Sequence, residues 1–177
     1  MRGEALREAI RVVVDTFGSD AQHFVFLGSC VLGLYARPVG APFRATKDVD
    51  CISDRKPWAV QQGILNDMVA RKTLEPDPAV ACRYAIHGTD VQVDVLSPEG
   101  MNVPTTAFFG VAADHAQNYD AGKGVRVRAV TPAYFLALKL EALCDRAKDL
   151  ESATDMEDIV ALAVEVPRTR IAHTLGA

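Results

Sequence analysis

No stretch of the 177 residues approaches the roughly 20 consecutive apolar side chains that a membrane-spanning helix needs, and the N-terminus carries Arg2, Glu4, Arg7 and Glu8. It reads as a charged amphipathic helix rather than a secretion signal, so the expectation is a cytoplasmic protein with no membrane partner. Cysteine is sparse and spread out: Cys30, Cys51, Cys82 and Cys144 form no C-x-x-C pair. That argues against zinc and leaves them as small buried hydrophobes in a reducing compartment. His23, His87, His115 and His173 are equally scattered, and none is assigned to catalysis. Basic charge is not in excess: 19 Lys and Arg stand against 23 Asp and Glu, a net charge of −4. Broad electrostatic wrapping of nucleic acid needs the opposite balance. A local patch remains open, around Arg37, Arg44, Lys47, Arg55 and Lys56 or on Arg126 and Arg128. No internal repeat or domain linker interrupts the chain, and 49% of it is apolar, which suits one domain with a real core.

What the chain does carry is Arg44-Ala45-Thr46-Lys47-Asp48-Val49-Asp50-Cys51-Ile52. As a β-strand it puts Thr46, Asp48 and Asp50 on one side and Val49 and Cys51 on the other. Neighbouring carboxylates disfavour each other's ionisation unless a cation stands between them, and a hard divalent ion takes oxygen ligands of this kind. An isolated Asp-x-Asp is more often a solvated strand edge or turn, but two further elements set this one apart. Upstream, His23 to Leu27 reads as a short buried strand, followed by Gly28-Ser29 and an apolar helix start from Cys30 to Tyr35. There glycine allows close backbone approach, Ser29 can cap the helix, and free first-turn N–H groups attract phosphate. Downstream, Val91-Gln92-Val93-Asp94-Val95-Leu96 alternates and puts Asp94 on the face opposite the valines. A Gly-Ser turn and three strand carboxylates form the constellation that two-metal nucleotidyl transfer needs.

The remaining elements follow from periodicity and punctuation. Residues 3–17 have helical spacing and end at Gly18. Ser53 to Pro57 starts a helix to about Lys72, with Trp58, Ile64, Leu65, Met68 and Val69 inward and Pro57 at the first helical position. Glu75-Pro76-Asp77-Pro78 breaks the chain, and residues 81–87 and 90–96 form a hairpin through Gly88-Thr89. Residues 105–119 are weakly patterned, and Ala121 to Gly124 turns into a strand over 125–130. Thr131-Pro132 starts a helix to about Ala147, with Leu136, Leu140 and Leu143 toward the core and Lys139, Ala142 and Arg146 on another face. Ser152 to Asp155 starts a last helix, with Ile159, Leu162 and Ala163 inward. The element order suits an α/β sandwich with a mixed sheet and a C-terminal helical pair.

Together these motifs resemble the nucleotidyltransferase superfamily with the polymerase-β-like fold: Gly-Ser, a spacer, Asp-x-Asp, and a third Asp on a neighbouring strand. Arg44 to Asp50 is similar to the R-x-T-x-D-[IV]-D strand of the AbiEii-like toxins and their small relatives. The block from Thr131 to Ala142, with Arg146, Lys148-Asp149 and Asp155-Met156-Glu157-Asp158, resembles that group's K-L-x-A…R…K-D…D-x-x-D pattern. The likeness covers roughly residues 20–165. One departure is the spacer from Ser29 to Asp48, lengthened in the Pro/Gly-rich loop 37–43; loops absorb such insertions cheaply.

The resemblance implies a single nucleotidyltransferase domain over 1–177, with an α/β (α+β) core over 1–130 and C-terminal helices over 131–177. The implied enzyme moves NMP from an NTP to a hydroxyl acceptor with two Mg²⁺ ions. Asp48, Asp50 and Asp94 are then the metal ligands and, with Lys139, the catalytic residues. Gly28, Ser29, Arg44, Thr46, Lys139, Arg146 and Asp158 are the nucleotide-binding residues. The resemblance also implies a toxin or defence role with RNA or tRNA as acceptor, served by a cognate antitoxin or partner chain. Two alternatives stay open: a small-molecule (antibiotic-type) nucleotidyltransferase, and a catalytically inactive module that binds nucleotide or metal for regulation. Structural readings stand beside these: Lys139 as an exposed helix lysine, Thr46 as a strand former, and Arg146, Asp149, Asp155 and Asp158 as a capping and salt-bridge network.

Overall fold

A computed structural model describes residues 2–35, 46–53, 58–97, 108–145 and 154–166. Its described helices are α1 (Arg2–Phe17), α2 (Leu32–Tyr35), α3 (Trp58–Ala70), α4 (Phe109–Asp114), α5 (Pro132–Asp145) and α6 (Thr154–Glu165). Its described strands are β1 (Phe24–Leu27), β2 (Asp48–Ser53), β3 (Leu74–Pro76), β4 (Arg83–Ile86), β5 (Gln92–Leu96), β6 (Gln117–Gly122) and β7 (Val125–Ala129). They form one seven-stranded mixed sheet in the order β3-β4-β5-β2-β1-β7-β6. β1 runs antiparallel to β2 and parallel to β7, and β2 runs parallel to β5.

Central strands β1 and β2 are apolar, and apart from Cys51 β-branched or aromatic, where they cross the core: Phe24, Val25, Phe26, Val49, Cys51 and Ile52 are all essentially sealed from solvent. The core cluster joins them to Leu6, Ile10 and Val13 of α1, to Leu65 and Met68 of α3, and to Phe135, Leu138 and Leu162 of the last two helices. Among the described residues no helix is long and apolar enough to cross a membrane.

Several expectations need correction. Ser53 does not open a helix; it closes β2 and is fully buried. The helix follows as α3, whose inward face carries Leu65 and Met68 together with a buried Gln61; Pro57 and the Trp58 side chain lie outside the described residues. The break at residues 75–78 is partly a strand, because β3 is an edge that tolerates Pro76 at its end. β6 occupies what read as weak pattern and turn: its residues Gln117 to Gly122 are mostly polar, and the hairpin turn is Lys123-Gly124. Only Tyr119 and Ala121 of β6 are buried, so the strand had little apolar signal to show.

The last two helices are rotated from the expected faces. In α5 the buried residues are Ala133, Phe135 and Leu138, while Leu140 is 45% exposed. In α6 the buried line is Asp155, Asp158 and Leu162, continued by Val166 just past its end, and Ala163 is exposed. Of the cysteines, Cys30, Cys51 and Cys82 are buried as expected, but Cys144 is exposed.

Candidate active site

The carboxylates meet because of register. Asp50 on β2 pairs with Asp94 on β5, and Asp48 with Gln92, in a parallel ladder. Paired residues of a ladder share a face, so Asp48, Asp50 and Asp94 stand together on one side of the sheet. Asp48 is exposed, and Asp50 and Asp94 are partly buried. Withdrawal from water, then the Asp94 charge, push the Asp50 carboxyl up to about 7, against the pull of Lys139. No hydrogen bond reaches the Asp50 carboxylate among the described residues. Strand β2 starts only at Asp48; Thr46 precedes it, and its hydroxyl accepts the Asp48 N–H at 3.1 Å.

The Gly-Ser turn closes over this pair. Gly28 has φ +72°, and a Cβ built there would lie 1.9 Å from Asp50 Oδ2. The glycine is therefore required by the protein's own carboxylate as well as by backbone geometry. Ser29 starts a single 3₁₀ turn before α2, and its hydroxyl caps nothing there. It donates instead to Asp158 Oδ2 and accepts from Lys139 Nζ at 3.3 Å. Lys139 Nζ also lies 2.9 Å from Asp155 Oδ1 and 2.7 Å from Asp158 Oδ2. Burial alone would lower the Lys139 pKa, but Asp158 and Asp155 outweigh it and the net shift is upward, so the ammonium form is secure.

No family profile matches the sequence, and no curated protein does. Among solved structures the chain is similar to an antigenic nucleotidyltransferase-like protein from Paracoccidioides brasiliensis, with a TM-score of 0.62 at 16% identity, covering 96% of this chain and 85% of that one. The fold is that of the nucleotidyltransferases. Within this fold the β2–β5 register puts Asp48, Asp50 and Asp94 on one face, Gly28 lies against Asp50, and Ser29, Lys139 and Asp158 touch one another. Arg44 and Arg146 lie outside the described residues, as do the loop 37–43 and Arg37, Arg55 and Lys56 of the expected basic patch. Lys47 turns away from the site and pairs with Asp90.

Two participants were missed or undervalued. Arg83 on β4 is the register partner of Asp94 and grips it with two parallel bonds, Nε to Oδ1 and Nη2 to Oδ2, both 2.8 Å. The hairpin turn at Gly88-Thr89 already places 83 opposite 94, so cross-strand register could have found it. Asp155, read as a capping acid, is 5% exposed and is a direct partner of Lys139.

Among the described residues, no group of three or more His, Cys, Asp or Glu side chains is gathered tightly enough to hold a metal ion. The donor chemistry nonetheless fits a hard cation at Asp50. Its partly buried carboxylate faces a second carboxylate and meets no hydrogen-bond donor among the described residues, and the available oxygens are those a Mg²⁺ ion takes. Asp94 is shared with Arg83, so an ion there has a guanidinium as competitor.

Proposed function

We propose that the chain is a Mg²⁺-dependent nucleotidyltransferase that moves a nucleoside monophosphate from an NTP to a hydroxyl acceptor. The observation that supports this reading best is the meeting of Asp50 and Asp94 at one register position beneath Gly28. Asp48 and Asp50 would hold two Mg²⁺ ions, with Asp94 completing the position on the hydroxyl side. Bound there, such ions supply activation of the attacking hydroxyl and neutralisation of the phosphates.

The chain's own groups do the rest. Asp94, held by Arg83, would receive the hydroxyl proton. Gly28 and Ser29 present the first-turn backbone to the β/γ-phosphates. Lys139 brings a compact positive charge to the triphosphate by exchanging an aspartate for phosphate. Thr46 and Asp158 would border the nucleotide; Arg44 and Arg146, to which the resemblance gives the same role, lie outside the described residues. In the AbiEii-like reading the acceptor is RNA, such as the tRNA acceptor end, and a cognate antitoxin or partner chain completes a toxin system; an antibiotic-type small molecule is the alternative acceptor.

A transfer assay tests this directly. Each α-³²P NTP is incubated with Mg²⁺ and RNA or small-molecule pools, using wild type and Asp48→Asn. Label is expected on an acceptor with wild type alone, and equal labelling by the two proteins would overturn the reading. A second reading, a regulatory module that binds nucleotide without turnover, draws on one observation: Lys139 and Arg83 are both already engaged by aspartates. It gains if NTP binds with Mg²⁺ but no pyrophosphate is released with any acceptor.

A further inference from the structure

Away from the carboxylates, the β6–β7 hairpin and the turn after α1 enclose a second concavity of about 420 Å³. It shares no lining residue with the candidate active site. Its charge comes from Arg126 and Arg128, and Ser19, Gln22 and Asn118 add hydrogen-bonding side chains beside the apolar Val14.

The strand period puts the two arginines there. Val127 and Ala129 of β7 are buried, so residues 126 and 128 must project to the other side of the strand. Asn118 pairs with Arg128 and Asp120 with Arg126, which brings these four side chains to one face. By register Arg128 lies beside Val25 on β1 while Asp50 lies beside Leu27, so the basic face is displaced both along and across the sheet from the carboxylates.

Charge balance is the informative point. The protein is acidic overall, at −4, yet Arg126 makes no hydrogen bond or ion pair among the described residues. Its register partner Asp120 turns Oδ1 to the Gly122 N–H at 2.7 Å, and Asp20, in the same turn as Ser19, does not line the cleft. Arg128 is half-buried and donates to the Ala113 carbonyl at 3.4 Å, which anchors its guanidinium at the wall. Arginine's planar fork matches phosphate oxygens in pairs, and the volume falls in the range of small-molecule sites.

We propose that this cleft is a second anion site that takes a phosphate-bearing ligand of nucleotide size. Phosphate oxygens lie on Arg126 and Arg128, and the rest of the ligand lies along Gln22, Asn118 and Val14. The proposal does not depend on the nucleotidyl-transfer reading.

The test is calorimetric titration of the full chain in EDTA, which silences any metal-dependent nucleotide site, with three probes: inorganic pyrophosphate, 5′-AMP and a 5′-phosphorylated RNA oligonucleotide. Wild type and Asp50→Asn are expected to bind with equal affinity, and an Arg126→Gln/Arg128→Gln double variant at least ten times more weakly. AMP binding as tightly as the oligonucleotide identifies a free nucleotide as the source of the phosphate. Tighter, steeply salt-dependent oligonucleotide binding identifies a nucleic-acid strand. If no probe binds wild type, or the double variant binds as wild type does, the site is refuted. A loss in Asp50→Asn with none in the arginine variant would assign the binding to the carboxylate site instead. Arg126→Gln alone guards against a folding defect, since that side chain supports no other described group; it is expected to weaken binding several-fold at an unchanged Tm.

Discussion

Gly28 leaves no room for a side chain. A side chain there meets Asp50 Oδ2 at 1.9 Å and must adopt φ +72°. Left-handed backbone strain costs about 1–3 kcal/mol, and the displaced carboxylate adds to it. Gly28→Ala should lower unfolding stability by about 2 kcal/mol or more in urea titrations and weaken Mn²⁺ binding followed by EPR. Asp50 carries a pH signature. Burial, then Asp94, raise its carboxyl to about 7 from an ordinary 3.8, so the folded protein holds this proton more tightly than the unfolded chain does. In chelator, stability should therefore fall as pH rises from about 4 to about 7 and stay reduced above that. Asp50→Asn removes the penalty: thermal melts should show it stabilised over wild type at pH 8 and nearly matched at pH 4. The carboxylates were legible because a period-2 strand needs only alternation to set their face. That Gly28 accommodates Asp50 itself was not legible, because the contact is made across the β1–β2 pairing.

At the scale of elements, α5 and α6 are held to the site by one buried ionic cluster. The side chains of Lys139, Asp155 and Asp158 are only 13%, 8% and 4% exposed. Removing the Lys139 ammonium takes a direct cationic partner from two buried carboxylates, and breaking a buried pair costs about 3–5 kcal/mol. Lys139→Met should destabilise by that order in urea, and Lys139→Met/Asp158→Asn by less than the sum of the two single changes. The same cluster explains the rotation of α5. Apolar residues surround that helix on every side, so sequence periodicity could not choose a face, and pairing of Lys139 with Asp155 and Asp158 accompanies burial of Phe135 and exposure of Leu140. Phe135→Ala should accordingly cost about 3–5 kcal/mol, whereas Leu140→Ser should stay within about 1 kcal/mol; chemical denaturation of the two variants decides it.

For the whole molecule, one core cluster contains Leu6 and Ile10 from the first helix, Phe26 and Ile52 from the central strands, Phe135 and Leu162 from the last two helices, and Val166 just beyond them. Residues from both ends of the chain thus bury the same surface. Calorimetry should show a single transition with equal calorimetric and van't Hoff enthalpies. A separate melt of the C-terminal helices would contradict that.

Local chemistry was enough for the sequence to determine the Gly-Ser turn, the Asp-x-Asp strand, the hairpin bearing Asp94 and the start of α5, because each depends on residues within one element or one turn. Tertiary structure alone decided the partners. Arg83 reaches Asp94 through strand register, Ser29 reaches Lys139 and Asp158 across most of the chain, and polar β6 pairs as a strand with β7 beside it. Those choices depend on which groups, once withdrawn from water, find an opposite charge or an open backbone edge, and that is a property of the assembled sheet and helices.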